Sequence, residues 1–95
     1  MFGIYASFIV KDGMVDQALS AVEEMIEKTR LEEGNISYKL FASVDNPNAI
    51  AFFEEWKDQA AIDAHSSSDH FNNGLAKLSE LLAEEGQIKI YKLLA

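Results

Sequence analysis

The stretch FFEEWKDQAAIDAHSSSDHF, residues 52–71, contains an apolar strand, the single tryptophan of the chain, both histidines and the start of a helix. Side chains alternate between the two faces of a strand, so Phe52, Glu54 and Trp56 point the same way if this segment is extended. The serine run that follows suits the start of a helix, because serine is a favoured N-cap residue. We therefore take this stretch as the centre of the chain and place the other elements around it.

The residues before this stretch predict two strands and one helix. Both faces of residues 2–10 are largely apolar, which is typical of a strand covered on two sides. Apolar residues recur at spacings of three and four from Val15 to Ile26, which predicts an amphipathic helix. Gly34 is expected to end this helix with a positive φ, and alternation over residues 36–44 predicts the second strand. The turn residues Asp45-Asn46-Pro47-Asn48 then favour a hairpin with a third strand, Ala49–Trp56.

The residues after the third strand predict two helices and a last strand. A short helix is expected over Asp58–Ala64, with His65 on its inner side. Ser68 is the expected N-cap of a longer helix, whose apolar positions continue to Leu82 before Glu84-Glu85-Gly86 ends it. The last strand is expected over 88–94, where two lysines are typical of a sheet edge.

The order of these elements predicts the fold class. A β-α-β-β-α-β order is that of a ferredoxin-like split βαβ fold, an α+β class with an antiparallel sheet. The helices should cover one face of the sheet. The other face carries large apolar residues from several strands, and soluble monomers rarely leave such a patch exposed. We therefore expect one domain over residues 1–95 that forms a homodimer, with higher assemblies of dimers left open.

Composition limits the partners. The formal net charge of −8 repels phosphate backbones and anionic membrane surfaces, so neither nucleic acid nor a membrane is an expected partner. The absence of cysteine excludes disulfides, thiolate catalysis and cysteine-ligated zinc. No basic leader or apolar run long enough to cross a bilayer is seen, so we expect a soluble protein of the reducing cytoplasm.

Four blocks of the sequence are informative together. They are Glu33-Gly34-Asn35-Ile36-Ser37-Tyr38, Asp45-Asn46-Pro47-Asn48, Glu54-Glu55-Trp56 and His65-Ser66-Ser67-Ser68-Asp69-His70-Phe71. In this combination the chain resembles the antibiotic biosynthesis monooxygenase (ABM) family of dimeric α+β barrel proteins, which includes small quinol monooxygenases. The resemblance implies a single ABM-like domain, a dimer whose sheets form a barrel, and a cavity between the helices and the sheet of each subunit.

The resemblance also implies a chemistry. Many relatives oxidise phenols or quinols with O2 and no metal or flavin, so we expect no cofactor and assign no metal ligand. Such a reaction needs a dry pocket, a base for the phenolic proton and a donor for the developing oxyanion. The candidate catalytic groups are His65 and His70, with Tyr38 or Trp56 as hydrogen-bond donors. The candidate substrate-binding residues are Phe8, Tyr38, Phe52, Trp56 and Phe71.

The predicted function is that of an oxidoreductase, a cofactor-independent monooxygenase of a small aromatic quinol or polyketide-like phenol. Two alternatives stay open: a cofactor-free isomerase of a small, phosphorylated or unphosphorylated metabolite, and a small-molecule-binding dimer without turnover. The individual residues have structural alternatives too. His65 can be a core histidine, His70 can fill a helix terminus, and Trp56 can be a packing anchor. Glu54, between Phe52 and Trp56, can be a pocket carboxylate or can pair with Lys39 or Lys92 at the dimer interface, and we favour the interface role.

Overall fold

The computed structural model describes all residues, 1–95, and contains four strands and three helices. The predicted order is confirmed, with the second helical region divided in two by the serine run. The elements are β1 (Phe2–Ile9), α1 (Val15–Thr29), β2 (Asn35–Ala42), β3 (Ala49–Trp56), α2 (Gln59–Ser66), α3 (Asp69–Ser79) and β4 (Gln87–Lys92).

The four strands form one antiparallel sheet in the order β2-β3-β1-β4. In β1, one of the two inner strands, Ile4 lies between Glu54 of β3 and Ile90 of β4. The predicted hairpin of β2 and β3 is confirmed, and β4 lies at a sheet edge as its lysines indicated. This ferredoxin-like arrangement puts the even-numbered residues of β1 and β3 on the face that the helices cover.

The core lies between that covered face and the helices. Trp56 of β3, Val22 of α1 and Leu78 of α3 are fully buried there. Burying a large aromatic or aliphatic side chain contributes about 1.5–3 kcal/mol, so these residues hold the helices against the sheet. None of the helices is both long enough and apolar enough to cross a membrane.

The prediction that Gly34 ends the first helix with a positive φ was wrong. The only glycine with a positive φ is Gly13, at φ 77°, whereas α1 ends at Thr29 and its C-cap, Arg30, has a right-handed conformation. At Gly34 the constraint is space, because a Cβ there would lie 2.2 Å from the Cβ of Ala61. Gly34 therefore lets α2 approach the loop that precedes β2.

The predicted end of α3 also differs from the structure. Helix α3 ends at Ser79, so Leu82 is not helical and instead forms an isolated antiparallel bridge with Val10. Backbone hydrogen bonds from Lys11 N–H to the Leu81 carbonyl and from Ala83 N–H to the Ile9 carbonyl fix this segment against the end of β1. A tertiary contact thus ends the helix before its apolar pattern does.

Candidate functional site

A small cavity of about 80 Å³ lies between the covered sheet face and the helices. Five of the residues that the sequence singled out line it: Phe8, Tyr38, Phe52, His65 and Phe71. The lining is mostly apolar, and its polar side chains are Tyr38, Glu54, His65 and Ser66. A cavity with an apolar wall and a few converging polar groups is the usual form of a small-molecule site, although this one is smaller than most.

His65 reaches the cavity from the last turn of α2. The N-cap of this helix is Asp58, whose side chain accepts a hydrogen bond from the Ala61 N–H. The helix buries Ile62 and His65, three residues apart on one face. The imidazole lies among aromatic rings, with centroids 4.6 Å from Trp56, 4.8 Å from Phe71 and 5.7 Å from Tyr38. Its orientation is therefore fixed by packing on several sides.

A carboxylate that the sequence did not reveal holds both histidines. Oxygen Oε2 of Glu32, in the loop between α1 and β2, lies 2.8 Å from Nδ1 of His65 and 2.9 Å from Nε2 of His70. An ionised carboxylate only accepts hydrogen bonds, so we assign a proton to each of those two ring nitrogens. This assignment leaves the lone pair of neutral His65 on Nε2, which is buried and has no hydrogen-bond partner in the chain.

Burial and the carboxylate act on the His65 imidazole in opposite directions. Burial lowers the pKa of His65 below the ordinary value and outweighs the hydrogen bond that the imidazole donates to Glu32, which raises it. A neutral imidazole at pH 7 can accept a proton, which is what a general base requires.

Glu54 is buried on the covered face, so its predicted interface role was wrong. Its side chain lines the cavity and accepts a hydrogen bond of 2.9 Å from the indole N–H of Trp56. Lys39, one of the two predicted partners, lies on the opposite sheet face, across from Phe53. Burial raises the pKa of Glu54 to about 7, despite the Trp56 hydrogen bond, and the charge of Glu32 adds to the rise.

The structure separates the predicted site residues into two groups. Those that line the cavity are Phe8, Tyr38, Phe52, His65 and Phe71. The other two predicted residues lie behind the cavity wall: His70 contacts Glu32 at the start of α3, and Trp56 packs against His65. The Trp56 N–H already donates to Glu54, so it is not free for a ligand. Burial raises the pKa of Tyr38 well above its ordinary value, with the charges of Glu54 and Glu32 adding to the effect, so its hydroxyl keeps its proton.

Sequence reasoning missed Glu32 and gave Glu54 the less suitable of two roles, an interface ion pair in place of a pocket carboxylate. Glu32 belongs to the acidic pair Glu32-Glu33, and nothing in the sequence distinguishes the half-buried member from the exposed one. For Glu54 a signal existed, because alternation placed this carboxylate on the same face as Phe52 and Trp56. A carboxylate between two core aromatics on the covered face indicates a buried polar group rather than a surface ion pair.

The sheet has a second concavity on its open face, away from the helices. This broad, shallow depression has a volume of about 1080 Å³ and is lined by rings from all four strands, with Tyr91 contributed by β4. Phe53 lies 5.1 Å from Tyr5 and 5.3 Å from Phe41, centroid to centroid. We call these three rings, Tyr5, Phe41 and Phe53, the aromatic row.

Sequence comparisons identify relatives. A sequence profile described as antibiotic biosynthesis monooxygenase matches residues 1–77. The protein named "Putative monooxygenase YcnE", from Bacillus subtilis, is 36% identical over 83 residues, which cover 87% of each chain. "Putative monooxygenase Rv0793", from Mycobacterium tuberculosis, is 32% identical over 79 residues, which cover 83% of this chain and 77% of that protein.

Structural comparison agrees with these matches. A conserved protein from Methanosarcina mazei Go1 superimposes with a TM-score of 0.93 at 36% identity, covering 96% of this chain and 90% of that one. The fold and the sequence therefore point to the same group of proteins.

Proposed function

Because this chain belongs to the antibiotic biosynthesis monooxygenase family, we propose that it oxidises a small quinol or polyketide-like phenol with O2 in the cavity beside His65. The observation that carries this proposal is the His65 imidazole. One ring nitrogen is tied to Glu32, while the other is buried, unpartnered and on a residue that lines the cavity. A phenolic O–H is a suitable partner for that nitrogen.

The proposed reaction starts with transfer of the phenolic proton to Nε2 of His65. The resulting phenolate is electron-rich and reduces O2, and a C–O bond forms to give a ring hydroperoxide. Loss of the ring hydrogen then breaks the O–O bond, so one oxygen atom stays as the quinone carbonyl and the other leaves as water. The substrate supplies all the electrons, so the overall change is phenol plus O2 to quinone plus water.

The residues around His65 fit the other needs of this reaction. The Glu32 carboxylate stabilises the imidazolium that forms when His65 takes the proton, and it keeps the ring in one orientation. The Tyr38 hydroxyl, which keeps its proton, can donate to the developing oxyanion. Glu54, with a pKa of about 7, is partly protonated at neutral pH and is the second group at the cavity able to supply a proton to the leaving oxygen.

The size of the cavity sets a condition on substrate entry. At about 80 Å³ it is smaller than the roughly 150 Å³ apolar cavity that accommodates benzene. Two of its lining residues, Ile88 and Ile90 of the edge strand, are each 52% exposed. A phenol therefore enters past these side chains and widens the cavity on their side.

The test is O2 consumption with a panel of quinols and phenols, comparing the wild type with His65→Asn. Loss of a general base costs about 10²–10⁴-fold in rate, so the variant should fall by that range. Glu32→Gln should also reduce kcat, whereas the matched neighbour Glu33→Gln should not, since Glu33 is exposed.

Two outcomes would count against the monooxygenase. The first is O2 uptake at the uncatalysed rate with every member of the panel, and the second is wild-type activity in a folded His65→Asn variant. Conversion of a compound that proceeds equally well without oxygen would favour the isomerase alternative.

We also propose that the active form of this single domain is a homodimer in which a second copy covers the open sheet face. Phe41 and Phe53 are 53% and 49% exposed there, and Tyr5 completes the aromatic row. A contiguous apolar patch of this kind is a feature of interaction surfaces. A face-to-face arrangement buries the aromatic row of both copies at once, since a two-fold interface uses the same patch twice.

A further inference from the structure

The Glu32, His65 and His70 side chains bring three potential metal ligands together beside the cavity, with His65 common to both. The two ring nitrogens and the carboxylate oxygen that face one another all lie within 4.8 Å. They come from three different elements: the loop after α1, the end of α2 and the start of α3. Spacing along the chain does not indicate this cluster, because the two histidines are five residues apart and the carboxylate is more than thirty residues before them.

We propose that Glu32, His65 and His70 form a binding site for one divalent first-row transition-metal ion, of which Zn²⁺ and Co²⁺ are suitable probes. Two imidazoles and one carboxylate are ligands that such ions accept, and they leave at least one coordination position for water. Hard ions such as Ca²⁺ and Mg²⁺ prefer an all-oxygen shell and fit this set poorly.

The observed distances are close to those that an ion requires. Ligand atoms about 2.1 Å from one ion lie about 3.0–3.4 Å apart, depending on the angle between them. The two nitrogen-to-oxygen distances, 2.8 and 2.9 Å, therefore need to lengthen by only a few tenths of an ångström. The main adjustment falls on the His70 ring, which has to turn towards His65 and is 16% exposed.

Access and charge also favour binding of a cation. Glu32 and His70 side chains are 17% and 16% exposed, so an ion reaches the cluster from solvent, while the buried His65 forms its inner side. The net charge of −8 raises the local concentration of cations around the protein.

His65 cannot bind a metal ion and act as the proposed base at the same time, because the ion takes the place of the proton on Nδ1 and the proton then lies on Nε2. An ion can bind Nδ1 of His65 only if that nitrogen gives up its proton. A neutral, metal-bound imidazole then carries its proton on Nε2, the buried nitrogen without a partner in the chain, and becomes a donor instead of a base. The metal-bound protein should therefore be a distinct state of the site. Binding itself does not depend on whether the chain is a monooxygenase.

The test is titration of the intact protein with Co²⁺ alone, followed by the fluorescence of Trp56 and the visible absorption of the ion. Trp56 is the only tryptophan, and its ring centroid lies 4.6 Å from that of His65, so a paramagnetic ion at the cluster should quench it. We expect saturable quenching at one ion per chain, reversed by Zn²⁺.

Matched variants separate this site from general cation binding to an acidic protein. Glu32→Gln and Glu33→Gln remove the same charge from adjacent positions, but only Glu32 belongs to the cluster. The first should weaken Co²⁺ binding by at least about tenfold, as loss of a group that supports a metal site does, and the second should leave it unchanged. His70→Asn, at the more exposed histidine, should weaken it similarly.

Two results would overturn the proposal. One is the absence of saturable quenching in the wild type, and the other is equal Co²⁺ affinity in Glu32→Gln and Glu33→Gln proteins that both fold.

Discussion

The two faces of the sheet carry similar numbers of aromatic side chains but differ in how far those side chains are exposed to solvent. On the covered face, Phe52 and Trp56 are 2% and 0% exposed, under helices of the same chain. On the open face, Phe53 lies one residue from Phe52 in the same strand and is 49% exposed. The difference teaches that strand alternation sorts residues between faces, while the helices determine which face becomes the core.

The faces also differ in their ionisable groups. Glu54, on the covered face, has only the Trp56 N–H as a hydrogen-bond donor, and burial raises its pKa to about 7. Its neighbour Glu55, on the open face, is exposed and accepts a 2.7 Å hydrogen bond from the Ser37 hydroxyl. Chemistry that needs a carboxyl able to gain and lose a proton near pH 7 is thus available on the covered face.

The largest expected effect comes from truncating the adjacent phenylalanines. Phe52→Ala removes a buried ring and should lower the free energy of unfolding by about 3–5 kcal/mol. Phe53→Ala should cost much less in a dilute sample, where the open face is in water. Urea unfolding of both variants at low protein concentration measures the difference. Equal losses would show that the two faces are not distinguished by the helices.

Dimer formation should depend more on Phe53 than on Phe52, which is the reverse of their order for stability. Phe53→Glu places a charge in the aromatic row and should shift sedimentation from a dimer to a single chain, whereas Phe52→Leu should remain dimeric. A wild-type protein that sediments as a compact single chain at micromolar concentration would contradict the proposed dimer.

The next effect is the pH dependence of stability from Glu54. Its folded-state pKa of about 7 is above its ordinary value of 4.5, so the folded protein binds more protons than the unfolded one between these values. The free energy of unfolding should therefore fall as pH rises from about 4.5 to about 7, by about 3 kcal/mol in total. Glu54→Gln should remove this slope.

The matched control for that experiment is Glu55→Gln on the open face, whose stability should follow the wild-type pH profile. Urea midpoints across the pH range provide the measurement. A wild-type profile retained in Glu54→Gln would assign the slope to another group.

The smallest of the three stability effects concerns the packing of α2 against the loop that contains Gly34. Gly34→Ala places a Cβ 2.2 Å from the Cβ of Ala61, so either the helix or the loop has to move. Overpacking of this kind costs about 1–3 kcal/mol. Thermal unfolding should show the loss, and the double variant Gly34→Ala/Ala61→Gly should recover most of it. Failure of the second change to rescue would indicate that Ala61 is not the obstacle.

Local patterns were sufficient for most of the fold. Alternation and the turn at residues 45–48 predicted β3 with the bounds that the structure has, and the serine run predicted Ser68 as the cap of α3, which the structure confirms. Local patterns gave wrong predictions where a residue contacts a segment that is distant in the sequence. Leu82 continues the helical spacing but bridges Val10, and Gly34 is required by Ala61 rather than by its own backbone.

For the candidate site, the sequence singled out the histidines and the aromatic residues but not Glu32, and the interface role was favoured for Glu54 over a place in the pocket. His65, Tyr38, Phe52, Phe8 and Phe71 do meet at one cavity, and their roles there stay predictions. Glu32 could not be found because its importance arises only when the loop after α1 reaches α2 and α3. Glu54 was assigned to the wrong partner because its hydrogen-bond donor is the Trp56 indole, two residues away on the same strand face.

The sequence by itself determined the order of the elements, the family and which side chains share a sheet face, because these depend on spacing along one strand or helix. Only the tertiary structure decided that a single oxygen of Glu32 binds both histidines, leaving Nε2 of His65 without a partner. The physical reason is that spacing fixes the direction of a side chain, whereas its protonation and partners depend on segments that packing brings together from distant parts of the chain.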